Sequence, residues 1–140
     1  MSDKMRLEFD SKSSNESFAR VTVASFVVRL DPTLEELSDI KTAVSEAVTN
    51  CVVHGYGNEE GKIIIECYIE ENEITIMVED YGVGIEDIEQ AMEPLFTTKP
   101  TEDRAGMGFS FMGIFMDDLW VESERNKGTK VTMKKKIEKK

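Results

Sequence analysis

At 140 residues, the chain is long enough for one domain with a hydrophobic core, but too short for a kinase domain plus a receptor or a phosphoacceptor helix pair. With 40% hydrophobic and 32% charged residues it has the composition of an ordinary soluble globule, so we expect one domain over residues 1–140. The net charge of −11 argues against direct nucleic-acid binding, which needs Lys and Arg to neutralise phosphates, and favours a protein partner.

The chain is predicted to open with a β-strand and a helix. Apolar and charged residues alternate through residues 1–10, which is the period of a half-buried strand whose inner side chains are Met5, Leu7 and Phe9. Ser13 and Glu16 have the spacing of a capping box ahead of an apolar-rich run. We therefore predict a first helix over residues 18–30, ended by the Asp31-Pro32 pair.

A second capping box, Thr33 with Glu36, predicts a second helix. The apolar residues after it are spaced by threes and fours: Leu37, Ile40, Val44, Ala47, Val48 and Cys51. Because Gly55 and Gly57 follow, we expect this helix to end at about His54.

The second half of the chain predicts a hairpin, a long loop and a helix followed by two strands. Apolar residues alternate on both sides of a polar turn at residues 71–72, which is typical of an antiparallel hairpin. A short helix is predicted over residues 85–92, and a proline-bounded loop then runs to Arg104. A third helix is expected over residues 109–116, with strands over residues 119–124 and 129–135.

This order of elements predicts an α+β fold. Strands on both sides of helical segments, joined by hairpins, favour a two-layer α/β sandwich in which helices cover one face of a mixed, mostly antiparallel sheet. No stretch approaches the roughly 20 apolar residues of a membrane span, and residues 1–10 do not resemble a signal peptide, so we expect a cytoplasmic protein. Cys51 and Cys67 are then expected to be reduced, buried thiols.

Glu46, Asn50 and His54 follow one another at intervals of four residues and so line one side of the second helix. A solvated helix edge would explain them. Asn50, however, borders the apolar stripe, where an unsatisfied amide is costly. Asn and Glu oxygens suit Mg²⁺, and a carboxylate can also accept a proton from a hydroxyl, so both interpretations stay open.

Three glycine-containing features lie at the ends of other elements. Asp80 ends a hairpin strand and is followed by Gly82 and Gly84, which let a ligand approach the backbone. Gly106-Met107-Gly108-Phe109 leads into the third helix, whose free N–H groups favour phosphate. Gly128-Thr129 begins the last strand. Each feature alone indicates no more than a turn or a helix start.

Taken together and in this order, the four features resemble the Bergerat ATP-binding fold of gyrase-type ATPases, Hsp90 chaperones, histidine kinases and mismatch-repair ATPases. The chain has no P-loop motif and no set of eukaryotic-type kinase motifs. The resemblance implies that Asp80 binds the adenine amino group, that Gly84 and Thr129 complete the adenine pocket, and that Asn50 is the Mg²⁺ ligand. It also implies an ATP lid over about residues 92–105. Further expected nucleotide contacts are His54, Gly82, Thr97, Thr98, Lys99, Gly106, Met107, Gly108 and Phe109.

Four kinds of protein in this class remain open: a histidine kinase catalytic domain, a gyrase- or Hsp90-type ATPase, a serine kinase that regulates a sigma factor, and an ATP-binding module without chemistry. The length favours a stand-alone anti-sigma kinase. Residues 15–24, 45–50, 54–56 and 94–100 are all similar to the family of sporulation anti-sigma F factors. The general-stress anti-sigma serine kinases share the same motifs and are the nearest alternative.

The resemblance to the anti-sigma F factors implies roles for particular residues and partners. Glu46 is expected to be the general base that activates a serine of an anti-anti-sigma protein, while Arg104 approaches the γ-phosphate of Mg²⁺-ATP and Arg20 contacts protein partners. The ATP form would hold a sporulation sigma factor, and the ADP form the dephosphorylated anti-anti-sigma protein. A homodimer is also expected. A sequestering module without kinase activity would share every motif except the need for Glu46.

Overall fold

The computed structural model describes residues 2–57, 59–84 and 108–138, with the side chains of residues 108–111 outside the description. The first half contains strand β1 (Ser2–Asp10), helix α1 (Asn15–Val27) with a 3₁₀ turn (Val28–Leu30), and helix α2 (Leu34–Asn50) with a π-helical turn (Cys51–Gly55). The second half contains strands β2 (Lys62–Glu70) and β3 (Glu73–Asp80), helix α3 (Gly108–Phe115), and strands β4 (Asp118–Glu124) and β5 (Gly128–Lys136).

The five described strands form one sheet in the order β1-β2-β3-β5-β4. All four pairings between them are antiparallel. The predicted α+β fold is therefore confirmed, with an antiparallel sheet throughout the described part of the chain. The β3–β5 register matters most for the site, because it places Asp80 opposite Thr129.

The helices cover one face of the sheet, and the core lies between the two layers. Alternate residues of β2 and β3 point into it, and Ile63, Ile65, Ile74 and Ile76 are all fully buried. Each such side chain contributes about 1.5–3 kcal/mol through burial. Helices α1 and α3 both pack against α2, so α2 lies at the centre of the helical layer. No helix within the described ranges is long and apolar enough to cross a membrane.

Of the two predicted capping boxes, the one at Thr33 is confirmed. The Thr33 hydroxyl accepts from Glu36 N at 3.0 Å, and the Glu36 carboxylate accepts from Thr33 N at 2.8 Å. Both cysteines are free and buried, as predicted.

The prediction of a capping box at Ser13 was wrong. Helix α1 begins at Asn15, and in this described segment its N-cap, Ser14, makes no side-chain capping hydrogen bond. The Glu16 carboxylate instead accepts a hydrogen bond from Thr49 Oγ1 of α2 at 3.0 Å and lies 3.9 Å from Arg20. Glu16 therefore joins two helices instead of capping its own.

The helical path that continues α2 ends at Gly55, one residue beyond the predicted His54, but its last turn is a π-helix. A π-helical turn widens the backbone and is often found at functional sites. The predicted helix over residues 85–92 and the predicted lid over residues 92–105 lie outside the described residues.

Candidate nucleotide-binding site

The polar face of α2 is buried. Glu46 is 2% exposed and Asn50 is 8% exposed, while His54, in the π-helical turn, is half-buried. A solvated helix edge would leave such side chains in water, so that interpretation is wrong for the first two. Burying a carboxylate and an amide beside an apolar core is costly unless both serve a ligand or a partner group.

The Asn50 amide is the clearest sign that this face receives a ligand. Both of its polar atoms, Oδ1 and Nδ2, are buried without a hydrogen-bond partner among the described residues. Leaving a buried polar group unsatisfied costs about 1–3 kcal/mol, and native proteins seldom keep one without a functional reason. An amide oxygen in this state fits the donor set of Mg²⁺, which takes one or two protein ligands together with substrate phosphates.

No group of three or more His, Cys, Asp or Glu side chains that could hold a metal occurs within the described ranges. A metal bound here would therefore depend on ligands from outside the described residues. The phosphates of a nucleotide are such ligands, and this agrees with the single amide oxygen that Asn50 offers.

Asp80 ends β3 and is 3% exposed. Its Oδ1 accepts from Gly82 N at 2.9 Å, and the β3–β5 register places Thr129 opposite it. Burial raises the pKa of Asp80 above its ordinary value of 3.8, and the hydrogen bond from Gly82 N offsets the rise only in part. An ionised carboxylate in this position can only accept hydrogen bonds, so it suits a ligand that presents an N–H group.

The glycines after Asp80 permit close packing of backbone on backbone. A Cβ at Gly82 would collide with the carbonyl oxygen of Gly55. Gly84 has φ +76, and a Cβ there would collide with the carbonyl oxygen of Glu124. The backbone of Val83 lies between these two contacts, since its N–H donates to Gly55 O at 2.8 Å and its carbonyl accepts from Asn126 N at 2.6 Å. The segment is thus wedged between the π-helical turn and the β4–β5 turn.

Thr129 lies beside Asp80, and its hydroxyl is 2.8 Å from Ser123 Oγ. The Ser123 hydroxyl also contacts the carbonyl oxygen of Gly128 at 2.9 Å. Sequence reasoning missed Ser123, although the hairpin register that pairs it with Thr129 could have indicated it.

Tyr56 is a second residue that sequence reasoning missed. Its hydroxyl donates to Lys62 O at 2.5 Å and accepts from Tyr81 N at 2.8 Å. Tyr56 therefore ties the end of the π-helical turn to the start of β2 and to the residue after Asp80. No spacing in the sequence indicated these contacts.

Arg20, predicted to contact partners, lies on α1 at the seam with α2. Its guanidinium donates to Ser45 Oγ and to Ser17 Oγ, each at 3.4 Å, and lies 3.9 Å from Glu16. Because Ser45 directly precedes Glu46 in the chain, Arg20 lies at the border of the buried polar face. More than a third of its side chain is exposed, so it remains accessible to a partner.

The remaining predicted site residues are only partly covered by the structure. Gly108 begins α3 and Phe109 follows it in the same helix. The other six, Thr97, Thr98, Lys99, Arg104, Gly106 and Met107, lie outside the described residues.

Comparison with protein families and with curated relatives gives consistent results. Residues 10–135 match the family described as the histidine kinase-like ATPase domain. The chain is 62% identical over 138 residues to the anti-sigma F factor of Clostridium perfringens (strain SM101 / Type A), covering 98% of this chain and 99% of that one. It is 60% identical over 136 residues to the anti-sigma F factor of Clostridium novyi (strain NT), covering 96% and 95%.

Solved structures support the same fold. The catalytic domain of histidine kinase ThkA superposes with a TM-score of 0.58 at 16% identity, covering 95% of this chain and 96% of that one. The blue-light activated histidine kinase of Erythrobacter litoralis EL346 gives a TM-score of 0.59 at 20% identity, covering 84% and 40%. At these identities the likeness concerns the fold alone.

Proposed function

We propose that this chain, which belongs to the anti-sigma F factor family of histidine kinase-like ATPase domains, inhibits a sporulation sigma factor. We propose further that it phosphorylates an anti-anti-sigma protein on serine with Mg²⁺-ATP. The anti-sigma role follows from the family. Kinase activity, the serine substrate and the choice of sigma factor are the proposal. We expect a single domain that acts in the cytoplasm as a homodimer.

One observation carries the proposal: a buried carboxylate, Glu46, lies one turn before a buried amide, Asn50, that has no hydrogen-bond partner in the described chain. Asn50 would hold Mg²⁺, and the bound metal would neutralise phosphate charge. Glu46, one turn away on the same face, would accept the proton of a partner serine. Most of the rate would come from positioning and charge stabilisation, as is usual in phosphoryl transfer.

The adenine end of the nucleotide would be recognised at the sheet. Asp80 would accept a hydrogen bond from the adenine amino group, while Gly84 and Thr129 would complete the pocket. Arg104 would stabilise charge on the γ-phosphate, with Thr97, Thr98, Lys99 and Gly106 as further phosphate contacts. Arg20, at the border of the buried polar face, would meet the protein partner.

The experiment that tests the proposal follows the γ-phosphate. The protein is incubated with γ-labelled ATP, Mg²⁺ and each candidate anti-anti-sigma protein, and the labelled product is treated with acid. Phosphoserine survives acid and phosphohistidine does not. Acid-stable label on a partner serine is expected, and acid-labile label or label on the chain itself would contradict the serine-kinase assignment.

A second measurement separates the kinase from a sequestering module. Sigma-factor capture is measured with ATP, with ADP and without nucleotide, and tighter capture with ATP is expected. If capture depended on ATP but no partner serine were labelled, the anti-sigma role would stand and kinase activity would be excluded.

A further inference from the structure

Tyr56 directly follows the π-helical turn, and its side chain reaches the end of the hydrogen-bonded ladder between β2 and β3. Its N–H donates to Cys51 O at 2.9 Å, which closes the turn and fixes the backbone of Tyr56. Its ring packs against the hydrophobic core and over Gly61, where a Cβ would collide with the ring. Backbone and packing together therefore set the position of the Tyr56 hydroxyl.

The hydroxyl lies where the β2–β3 ladder stops. The last pair is Ile63 with Asp80, so the next pair in this register would be Lys62 with Tyr81. In a continued antiparallel ladder, the Tyr81 N–H could donate directly to the Lys62 carbonyl. Both groups bond to the Tyr56 hydroxyl instead, which accepts from Tyr81 N at 2.8 Å and donates to Lys62 O at 2.5 Å. The hydroxyl therefore ends the ladder directly after Asp80.

The three successive backbone N–H groups after Asp80 are all hydrogen-bonded. The first donates to the Tyr56 hydroxyl, and the second, that of Gly82, donates to Asp80 Oδ1 at 2.9 Å. The third donates to Gly55 O at 2.8 Å. The end of the helical layer thus holds the chain on both sides of Gly82. Because the terminal torsion of an Asp side chain is soft, the position of the Gly82 N–H helps to set the direction of the Asp80 carboxylate.

We propose that Tyr56 is a positioning residue whose hydroxyl makes the site selective for adenine over purines without a 6-amino group. This rests on the proposed function, in which Asp80 accepts a hydrogen bond from the adenine amino group. Without the hydroxyl, the first N–H after Asp80 could bond to the Lys62 carbonyl, which would extend the ladder by one pair and move Gly82. The carboxylate would turn with Gly82, whereas Asn50, on α2, would keep its proposed role at the phosphates.

Tyr68 offers a matched comparison. It lies in β2 of the same hairpin, opposite Thr75 and towards the other end of the ladder, and its side chain is 39% exposed. Tyr68→Phe therefore removes the same hydroxyl group from the same pair of strands, but far along the ladder from Asp80. Asp80→Asn serves as a second reference, because it removes the carboxylate itself.

The test compares ADP with inosine diphosphate, in which a 6-oxo group replaces the amino group. Calorimetric titration in the presence of Mg²⁺ gives both affinities for the wild type and each variant, after thermal unfolding has shown that each is folded. Tyr56→Phe should weaken ADP binding about three- to tenfold, the range expected for one modest hydrogen bond, and change inosine diphosphate binding less than about twofold. Tyr68→Phe should leave the ratio of affinities unchanged, and Asp80→Asn should abolish the preference for ADP.

A second variant displaces the Tyr56 hydroxyl without removing it. Gly61→Ala introduces a Cβ that would collide with the Tyr56 ring, so the ring must shift and take the hydroxyl with it. We expect the ratio of the two affinities to change in the same direction as in Tyr56→Phe. A purely structural role for Tyr56 would lower the unfolding temperature of both variants and leave the ratio unchanged.

Several results would overturn the assignment. Equal losses for the two nucleotides in Tyr56→Phe would make Tyr56 a structural residue. If Asp80→Asn abolished the preference but Tyr56→Phe and Gly61→Ala kept it, Tyr56 would have no positioning role, and the proposed function would stand. A wild type that binds both nucleotides equally, or neither, would refute adenine recognition by Asp80 itself, and the proposed nucleotide function would fail with it.

Discussion

Glu46 is the residue whose chemistry separates a kinase from a binding module. It is 2% exposed on α2, in a helix face where only a ligand or a partner group would justify the burial of a carboxylate. Arg20, Ser45 and Glu16 form a hydrogen-bonded and ion-paired cluster at the adjacent seam between α1 and α2. A partner serine that approaches along this seam would reach Glu46 from the side of Arg20.

Glu46→Gln keeps the shape and hydrogen-bonding reach of the side chain and removes only its basicity. A general base contributes about 10²–10⁴-fold to rate, so we expect phosphate transfer to the partner serine to slow by that factor. ATP affinity and sigma-factor capture should stay within a few-fold of wild type. Single-turnover transfer of labelled phosphate measures the rate, and Glu35→Gln, at the exposed start of α2, is the matched control. Wild-type transfer by Glu46→Gln would show that Glu46 is not the base.

Asp80 gives a prediction about stability and pH in the nucleotide-free protein. Burial raises its pKa above 3.8, so between 3.8 and that higher value the folded state binds more protons than the unfolded state. The contribution of Asp80 to the free energy of unfolding therefore falls as pH rises. Relative to wild type, Asp80→Asn should gain stability as pH rises above about 4. Urea denaturation at several pH values measures the difference.

Asp10 provides a control with the opposite sign. Its hydrogen bond and charge interaction with Lys62 lower its pKa, so its stabilising contribution is present above 3.8 and is lost as pH falls. Asp10→Asn should therefore lose stability relative to wild type as pH rises. The same trend in both variants would mean that the Asp80 carboxyl is not the source of the pH dependence.

At the scale of elements, the two capping boxes show what local spacing can and cannot predict. Thr33 and Glu36 form the two reciprocal capping hydrogen bonds at the N-terminus of α2, so the box itself lies within four residues, although the Glu36 carboxylate also accepts from Glu138 N at 3.0 Å. Glu16 has the same spacing from Ser13, but Thr49, 33 residues away, donates to its carboxylate. A tertiary hydrogen bond decided the outcome, and such a contact is invisible in a local pattern.

The difference between the two boxes is measurable. Thr33→Ala removes a formed cap and should lower the free energy of unfolding by about 1 kcal/mol, within a range of about 0.5–2 kcal/mol. Ser13→Ala removes an exposed hydroxyl that caps nothing, so its effect should stay within about 0.5 kcal/mol. Urea denaturation of both variants tests this. Equal destabilisation by the two changes would show that the Ser13 hydroxyl does cap α1.

At the scale of the whole molecule, the candidate site spans both layers of the sandwich. Asn50 ends α2 in the helical layer and Asp80 ends β3 in the sheet. The π-helical turn after Asn50 reaches Asp80, since a Cβ at Gly55 would lie 2.8 Å from Asp80 Oδ2. The sequence could predict the sheet and the helices, because their apolar periods are local, and it could predict Asp80 and Asn50 from the order of the motifs. It could not predict the roles of Tyr56 and Ser123 or the approach of Gly55 to Asp80, because each depends on strand register or on the π-helical turn.

The buried Asn50 amide, which has no described hydrogen-bond partner, should lower the stability of the nucleotide-free protein. Asn50→Leu replaces this amide by an apolar side chain of similar size. Because no unsatisfied polar group would then remain at this position, the free energy of unfolding of the nucleotide-free protein should rise by about 1–3 kcal/mol. Asn72 is the matched control, since its Nδ2 donates to Ile137 O at 3.0 Å, and Asn72→Leu should destabilise the protein.

Asn50→Leu should also lose the stabilisation that a bound nucleotide provides. A ligand at about 100 times its Kd raises the free energy of unfolding of the protein that binds it by about 2.7 kcal/mol. With Mg²⁺-ADP we expect this gain in wild type and in Asn72→Leu, but little of it in Asn50→Leu. Urea denaturation with and without Mg²⁺-ADP gives all the values. If Asn50→Leu were less stable than wild type without nucleotide and still gained the full increment with it, the Asn50 amide would be a structural group. Another residue would then have to hold the metal.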